Sequence, residues 1–300
     1  MLRISGRPAP GHLKRAAGSA TASFAGASPE SLKTKGFSIV GAAAWRLHEH
    51  DEVGSTSDLA RDLPPWSAVR AETQSGGRGR FGRVFVSDPG GLWISAVLPA
   101  EGGLQKWAGF SLMVGIHLVR MLESFRVPCA RLRWPNDLMS GTKKLGGILI
   151  EQSACESLVV GFGLNVRNSP WTTDPELDAT STNLARACGS AEPPARGGAE
   201  ESSQGARPDA PEIFDIAVRT LDALADAHHE MQAGGMAAAI CDLNRRWASP
   251  VPVRLLLSAG EPATGRFVGL DPGGHLRLLD ASGCEFLIPH QNVEKLIEIY

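Results

Sequence analysis

Two loops of this sequence combine glycine with positively charged side chains in a way that could bind an anion. Arg78, Arg80 and Arg83 alternate with glycines between residues 77 and 83, and Lys144 precedes a Leu-Gly-Gly run further along the chain. Glycine lets a ligand approach the backbone, and arginine pairs with phosphate or carboxylate oxygens. A lysine in an apolar strand is costly unless an anion lies beside it. The loops therefore predict a site for a small anion or an acyl phosphate.

The first loop also matches the Gly-x-Gly-x-x-Gly pattern of dinucleotide-binding folds, through Gly77, Gly79 and Gly82. That pattern requires a helix directly after the loop, with its N-terminus aimed at the pyrophosphate. The residues that follow, Val84 to Val86, are typical of a strand instead, so we reject a dinucleotide fold. Taken alone, the loop is equally consistent with a solvated basic segment that contacts RNA.

Two other segments have a structural explanation as well as a functional one. Trp134-Pro-Asn-Asp137 has the composition of a turn after a strand. Lys144 could protect the edge of a sheet, and Gly161 and Gly163 could let a second backbone pack against their strand. Each explanation suffices for one segment, but none explains why all of them occur in this order.

The elements that would position these loops follow from the spacing of apolar residues. Alternating or fully apolar runs predict strands, and apolar residues three and four apart predict helices. Ser55 and Thr56 are expected to cap the first helix. The apolar runs 145–150 and 159–164 should be interior strands. We expect strands at 45–53, 67–72, 92–98, 131–134, 144–152 and 157–166, and helices at 57–63, 105–125 and 212–231. A further helix is expected after Gly234-Gly235 and runs to 247.

The region after Pro250 changes to short strands separated by turns, at 251–257, 265–270, 275–279 and 285–288. Asp271-Pro-Gly-Gly274 is turn chemistry between two of them. Some fifty residues of this kind predict a small, barrel-like β domain.

Composition excludes several classes of protein. The 300 residues are 43% hydrophobic and 21% charged, which fits a globular protein of one or two domains. A net charge of −2 gives no general attraction to nucleic acid or to anionic membranes. Five scattered cysteines without a C-x-x-C pair argue against a zinc site and against a disulfide framework. No apolar run is long enough to span a bilayer.

Two segments are expected to lie outside the folded domains. Residues 1–36 contain six Lys/Arg among Ala, Ser and Gly, which resembles an organellar transit peptide. We favour a disordered tail or an early start codon over a transit peptide, so we expect a cytoplasmic protein, with an organellar location as the alternative. Residues 188–211 have hardly any large apolar side chain and are expected to form a flexible insertion.

Six segments in this order resemble the successive signatures of biotin protein ligases. The resemblance runs from about residue 46 to the C-terminus. It implies an α/β fold of the α+β type, with a mixed-sheet catalytic domain of the biotin/lipoate ligase kind at 37–249 and an SH3-like β-barrel at 250–300. No counterpart of the DNA-binding domain of repressor-type members is expected. The segments are Ser55-Thr56, Glu72-Thr-Gln74, Gly77-Arg-Gly-Arg80, Trp134-Pro-Asn-Asp137, Lys144-Leu-Gly-Gly147 and Gly161-Phe-Gly-Leu-Asn165.

The resemblance implies a two-step reaction. The carboxylate of biotin attacks the α-phosphate of ATP, in the presence of Mg²⁺, and gives biotinyl-adenylate and pyrophosphate. A lysine of a biotin carboxyl carrier protein then attacks the acyl carbon. No DNA or membrane partner is implied, and a homodimer is left open.

The resemblance also assigns roles to individual residues. Those implied to act in catalysis are Lys144, Arg80 and Asp137. Those implied to bind biotin are Ser55, Thr56, Gln74, Gly77, Arg78, Lys144 and Gly147. Those implied to bind the nucleotide are Arg78, Arg80, Arg83, Phe85, Asn136 and Asn165. The ligands of a metal ion are left open.

Three positions depart from the family pattern. Ser57 stands where Asn is frequent, Phe85 where a tryptophan is common, and Phe81 where another basic residue is frequent. Two rival functions remain at this point. One is a lipoate ligase or octanoyltransferase, which shares the fold, and the other is a nucleic-acid-binding module that would use the Gly/Arg loop and the barrel.

Overall fold

The computed structural model describes residues 37–153, 156–189, 211–247, 250–289 and 292–299. All of these residues belong to one compact unit, residues 33–300. The expected N-terminal segment, 1–36, lies outside the described residues, as does most of the expected insertion at 188–211.

Eight of the described strands form a mixed sheet in the order β1-β2-β3-β4-β8-β7-β6-β5. Strands β2 and β3 pair in parallel, and the other neighbours pair antiparallel. The mixed sheet and the interior positions of the two apolar strands, β7 and β8, are confirmed. The strands are β1 (Phe37–Val40), β2 (Trp45–Val53), β3 (Ser67–Gln74), β4 (Leu92–Pro99), β5 (Ala130–Arg133), β6 (Asp137–Ser140), β7 (Lys143–Ser153) and β8 (Ser157–Leu164).

Helices cover both faces of this sheet. The main core lies between the sheet and helices α2 and α4, and a smaller cluster lies under α1. On β4, Ile94 faces the main core while Val97 faces α1. Because successive side chains of a strand alternate between faces, Ser95 shares the α1 face with Val97. The helices are α1 (Thr56–Ala60), α2 (Phe110–Ser124), α3 (Leu184–Ala187), α4 (Ile213–Gln232) and α5 (Met236–Arg246).

The helix predicted at 105–125 is wrong at its start. Residues Leu104–Trp107 form a separate 3-10 turn, and α2 begins only after Gly109. Gly109 adopts a left-handed conformation with φ of 81°, which interrupts a right-handed helix. A side chain there would also collide with Met236. The prediction failed because the helical spacing of apolar residues continues across Gly109, whereas the helix itself does not.

The first helix is shorter than predicted, and Ser55 holds its N-cap position without a capping hydrogen bond from its side chain. Ser55 therefore occupies the expected N-cap position, but its side chain does not cap the helix. The turn expected at 134–137 is present, since residues 134–136 form a turn directly after β5, and Arg133 pairs with Asp137 across it. Strand β6 is too short to have shown an alternating pattern.

A second, antiparallel sheet contains β9 (Val251–Leu257), β10 (Ala263–Leu270), β11 (Leu276–Leu279), β12 (Glu285–Ile288) and β13 (Val293–Glu298). Its order is β12-β11-β10-β9-β13, and in the described part of the chain no pairing joins the two edge strands. The expected barrel is therefore an open sheet here. Four of its strands were predicted. The fifth, β13, was not, because a register shift between Val293 and Lys295 disturbs its alternation.

The second sheet lies against the first at several hydrogen bonds. The indole of Trp134 donates to the carbonyl of Gly274, and Arg131 of β5 donates two hydrogen bonds to the Glu298 carboxylate of β13. Among the residues described here, no helix combines the length and the apolar character that a membrane crossing needs.

Candidate functional site

A cleft of about 600 Å³ opens on the α1 face of the large sheet. This volume falls within the range of small-molecule sites in proteins, roughly 300–1,000 Å³. Its walls come from α1, the Gly/Arg loop, the ends of β3 to β8 and the last strand, β13. Of the residues with predicted roles, all but Gly77 and Asn165 line this cleft. The fold therefore brings segments that are distant in sequence into one site.

One end of the cleft, which we call the floor, is a network of hydroxyl groups and one carboxamide. The backbone N–H and the hydroxyl of Thr56 donate to Gln74 Oε1 at 2.8 and 3.0 Å. Ser95 Oγ lies 2.7 Å from Thr56 Oγ1 and 3.0 Å from Ser57 Oγ. Gly161 lies beneath, where an added Cβ would come within 3.0 Å of Ser57 Oγ. The floor is suited to a ligand with polar ring atoms.

The Gly/Arg loop runs from the floor along one wall. Single bridges join Arg78 to Val84 and Gln74 to Ser87, so the chain after the loop is extended. The rejection of a dinucleotide fold is confirmed. Gly77 lies behind the wall, where a side chain would come within 2.5 Å of the Phe85 carbonyl and of Ser87 Oγ. Its lack of a side chain is therefore what lets the loop pack.

The arginines of the loop point to three different places. Arg78 makes two hydrogen bonds to Asp58, at 2.8 and 2.6 Å, and this contact lowers the pKa of the Asp58 carboxyl. Arg80 donates to the Val293 carbonyl of β13 at 3.0 Å, and burial lowers its pKa. Arg83 lies 3.9 Å from Glu294. The loop is thus attached to α1 on one side and to the C-terminal sheet on the other.

The other end of the cleft contains a carboxylate held between two cations. Lys144 Nζ lies 2.6 Å from one oxygen of Asp137, and Arg133 Nη2 lies 2.7 Å from the other. Burial alone would raise the pKa of Asp137, but the two cations outweigh burial and lower it. Lys144 is therefore not the lone cation or edge residue that its sequence context suggested. Its backbone is fixed as well, by hydrogen bonds to Thr180 and Thr182.

The ring of Phe85 lies between these two ends. Lys144 Nζ is 5.6 Å from its centroid, and Trp93 packs against its edge at 5.8 Å. Gly163 provides the space, since a Cβ there would come within 2.7 Å of the ring. The aromatic face expected at this position is therefore inside the cleft.

Two predicted asparagines serve mainly to hold the fold. Asn136 lines the cleft but donates through Nδ2 to the Ile148 carbonyl at 2.8 Å. Asn165 is buried and donates to Thr182, while Asn168 donates to its oxygen. Contact of Asn136 and Asn165 with a nucleotide stays a prediction.

The cleft has an excess of positive charge, whereas the whole chain has a negative net charge. The whole chain carries −2. The described lining residues include six basic side chains and three acidic ones, so the cleft favours anions. The basic residues are Arg78, Arg80, Arg83, Arg133, Lys144 and Lys295, and the acidic ones are Asp137, Glu294 and Glu298.

Several lining residues were missed by sequence reasoning. Ser95 is the one polar residue in the apolar run of β4, and that contrast was a usable signal. Arg133 directly precedes the Trp-Pro-Asn-Asp segment and could have been included with it. Glu294 and Glu298 gave no signal, because nothing in the local sequence shows that β13 reaches the cleft. In the described ranges, no group of three or more His, Cys, Asp or Glu side chains could hold a metal ion.

Comparison with known proteins identifies relatives of this arrangement. Residues 53–165 match the model of the biotin/lipoate A/B protein ligase family. The bifunctional ligase/repressor BirA of Bacillus subtilis is 35% identical over 150 residues, which cover 47% of this chain and 46% of that protein. The biotin–[acetyl-CoA-carboxylase] ligase of Mycobacterium tuberculosis is 34% identical over 158 residues, 48% of this chain and 58% of that protein. These matches thus span about half the length of the curated relatives.

Similarity in structure extends further than similarity in sequence. The biotin protein ligase from Aquifex aeolicus, in complex with biotin and ATP, superposes with a TM-score of 0.69. The superposition covers 84% of this chain and 99% of that chain, at 24% sequence identity. The two proteins therefore share a fold over most of this chain.

Proposed function

We propose that the chain is a biotin–protein ligase that uses ATP, and the match of residues 53–165 to the model of the biotin/lipoate A/B protein ligase family supports this. The proposal includes the division into a catalytic domain at 37–249 and a C-terminal domain at 250–300. It rests on one observation above others. A single cleft joins a floor of hydroxyl and amide groups to a cation-rich end built around Asp137 and Lys144.

This arrangement matches a ligand with a polar ring at one end and a carboxylate at the other. The ring would occupy the floor beside Thr56 and Gln74, while the carboxylate would reach Lys144. ATP would lie beside it, with its phosphates against Arg80 and Lys144 and its base near Phe85. Two anions can meet only where cations offset their repulsion, and the cleft carries that excess of positive charge.

In the first step, a carboxylate oxygen of biotin attacks the α-phosphorus of ATP. The new C–O–P linkage forms as the bond to the pyrophosphate oxygen breaks, and pyrophosphate leaves with the bonding electrons. Lys144 contacts the carboxylate and the phosphate as negative charge develops between them. Arg80, held by the Val293 carbonyl, adds a second cation. Such contacts act mainly on the transition state.

In the second step, a lysine amine of the carrier protein attacks the acyl carbon, and AMP leaves as the C–O bond breaks. The amine must lose one proton, which passes to solvent water. Asp137 is a weak base, because Lys144 and Arg133 keep its pKa low. We therefore assign Asp137 the role of orienting the amine and Lys144, without final acceptance of the proton.

In this proposal, Mg²⁺ enters the cleft bound to ATP. The described residues do not form a cluster that could hold the ion by themselves. Mg²⁺ commonly binds through substrate phosphates, a few waters and one or two carboxylates. An ATP–magnesium complex would bring the ion to the cleft, where Asp137, Glu294 and Glu298 are the carboxylates among the described lining residues.

The proposed acceptor is a biotin carboxyl carrier protein, as in the named ligases of the family. The proposed compartment is the cytoplasm, with an organelle as the alternative if residues 1–36 act as a transit peptide. Monomer and homodimer are both compatible with the proposal.

Two rivals make different demands on the cleft. A lipoate ligase would place a dithiolane ring on the floor, where it has no polar ring atoms for Thr56 and Gln74 to bind. A nucleic-acid-binding module would need exposed aromatic residues beside an exposed basic surface. Here Phe81 of the loop is exposed beside Arg80, but Phe85 and the cations line a recessed cleft.

Pyrophosphate release with ATP and Mg²⁺ tests the proposal. Biotin should stimulate release and lipoate should not, and a short oligonucleotide should neither bind nor compete. Adding a carrier domain should then give a product that streptavidin detects. Stimulation by lipoate instead of biotin, or binding of the oligonucleotide without stimulation by either acid, would overturn the proposal.

A further inference from the structure

Two serines outside the sequence motifs lie on opposite sides of the Gln74 carboxamide. Ser87, which follows the Gly/Arg loop, receives a hydrogen bond from Gln74 Nε2 at 2.9 Å. Ser95 on β4 lies 2.7 Å from the Thr56 hydroxyl that donates to Gln74. Ser95 is fully buried and Ser87 is 5% exposed. Breaking a hydrogen bond in such a place is costly, because water does not replace the lost partner.

The orientation of Gln74 follows from its backbone neighbour. The N–H of Thr56 can only donate, so the amide atom 2.8 Å away must be the oxygen, Oε1. Nε2 therefore faces Ser87, whose oxygen accepts from it. The proton of Ser87 is then available to the Phe85 carbonyl, 2.9 Å away. Ser87 therefore accepts from Gln74 and donates to the Phe85 carbonyl.

The same reasoning orders the hydroxyls of the floor. Gln74 Oε1 can only accept, so the single proton of Thr56 Oγ1 points to it. Thr56 must then accept from Ser95 Oγ at 2.7 Å. Ser95 has no proton left for Ser57, so Ser57 Oγ donates to Ser95 at 3.0 Å. The hydrogen bonds thus run in one direction, from Ser57 to Ser95, from Ser95 to Thr56, and from Thr56 to Gln74.

We propose that Ser95 and Ser87 are positioning residues that hold the Gln74 carboxamide in one orientation and so connect the floor of the cleft to the Phe85 carbonyl. The proposal deepens the proposed function, on which its kinetic readout rests. Both serines act through Thr56, Gln74 and the backbone of Phe85. Their effect on a reaction would therefore be on the placement of groups that bind substrate.

A consequence concerns both substrates. Gln74 lies at the floor, where biotin is proposed to bind, and Phe85 lies beside Lys144, where the nucleotide is proposed to bind. A break at Ser95 should loosen Gln74 and, through Ser87, the Phe85 segment. A break at Ser87 should do the same in reverse. Each break should therefore affect the binding of biotin and of ATP together.

The test compares Ser95→Ala and Ser87→Ala with Ser67→Ala. Ser67 is a matched control, because it is also fully buried and lies on β3, but its hydroxyl has no hydrogen-bond partner among the described residues. Loss of one buried hydrogen bond should raise the KM for biotin and the KM for ATP about fivefold. The kcat should stay within about twofold, since no group that contacts the reacting atoms is removed. Ser67→Ala should leave all three constants unchanged.

The double variant separates a connected chain from two local effects. If the serines act on one carboxamide, Ser87→Ala combined with Ser95→Ala should raise each KM about as much as the larger single change. If the two changes act independently, their fold increases in each KM should multiply in the double variant. That result would overturn the proposal.

Amide hydrogen exchange gives a readout that does not depend on the reaction. Residues 85–88 should exchange about fivefold faster in Ser95→Ala as well as in Ser87→Ala, and at the wild-type rate in Ser67→Ala. Unchanged exchange in Ser95→Ala would overturn the proposal even if every variant is active. If wild-type protein fails to release pyrophosphate with biotin, the proposed function fails, and hydrogen exchange still decides the role of the serines.

Discussion

Lys144 and Asp137 form an ion pair across the neighbouring strands β7 and β6, with Nζ and Oδ1 2.6 Å apart. Their side chains are 30% and 22% exposed, so the pair faces the cleft and is only partly screened by water. Arg133 holds the second oxygen of Asp137. The lysine is thus fixed in place before an anion arrives, and its charge is directed into the cleft.

Lys144→Ala should nearly abolish pyrophosphate release while the protein stays folded. Removing one charge-assisted contact to a transition state costs about 3 kcal/mol, which is roughly two orders of magnitude in rate. Lys143→Ala is the control, because the adjacent Lys143 donates to the Asp178 carbonyl and does not line the cleft. Near wild-type release by Lys144→Ala, with a normal melting temperature, would show that this lysine is not catalytic.

Asp137→Asn should destabilise the protein in a way that depends on pH. The pKa of Asp137 lies below its ordinary value of 3.8, because Lys144 and Arg133 outweigh burial. The ionised carboxylate therefore stabilises the fold above pH 3.8, and this stabilisation is lost as the pH falls through the folded-state pKa. At neutral pH the variant should lose roughly 1–3 kcal/mol of unfolding free energy.

The check is a series of thermal melts from neutral to acidic pH. The gap in melting temperature between wild type and Asp137→Asn should close below pH 3.8. Asp178→Asn serves as the control, since its pair with Arg186 is exposed and should matter little at any pH. A gap that is constant with pH would contradict the assigned charge state.

Glu298→Gln should weaken ATP binding. Both terminal nitrogens of Arg131 lie 2.6 Å from the Glu298 carboxylate, whose side chain is only 9% exposed, and this pair joins β13 to β5. Because β13 also holds Arg80 through the Val293 carbonyl, loosening it should displace Arg80. We expect a several-fold rise in the KM for ATP and a loss of about 1–3 kcal/mol in stability.

Steady-state kinetics and denaturant unfolding would measure both effects. Glu285→Gln is the matched control on the same sheet, because its pair with Arg277 is exposed and distant from the lining residues. An unchanged KM for ATP in Glu298→Gln, despite reduced stability, would limit this ion pair to a structural role.

Gly163→Ala should disturb the nucleotide end of the cleft. The added Cβ would lie 2.7 Å from the Phe85 ring, so the ring must move. Overpacking of this kind costs about 1–3 kcal/mol, here expected as weaker ATP binding with biotin binding less affected. Gly54→Ala is the control, since no atom lies within 4 Å of the position that its methyl group would take. Calorimetric titration would measure the affinity for ATP. An unchanged affinity in Gly163→Ala would show that the Phe85 ring shifts without affecting ATP binding, against this prediction.

Several elements could be predicted because their causes are local. The runs 145–150 and 159–164 are apolar on both faces, which only an interior strand tolerates, and they are β7 and β8. Likewise, the residues after the Gly/Arg loop favoured an extended chain, and that chain is extended. Propensity and periodicity report such features directly.

Other elements were missed where a local pattern was interrupted. The positive φ of Gly109 separates α2 from the preceding 3-10 turn, although the apolar spacing continues across it. A register shift in β13 between Val293 and Lys295 breaks its alternation. In both cases the spacing of apolar residues does not show the change in backbone geometry.

The sequence by itself determined which residue types were present for anion chemistry, since Arg80, Asp137 and Lys144 lie in recognisable segments. Only the tertiary structure decided their partners. Asp137 meets Lys144 because β6 pairs with β7 across a register shift, and Ser95 meets Thr56 because β4 lies under α1. Contacts between strands depend on register and on the order of strands in the sheet. These are properties of the whole packed chain, because burial of the core selects one register among many that the local sequence allows.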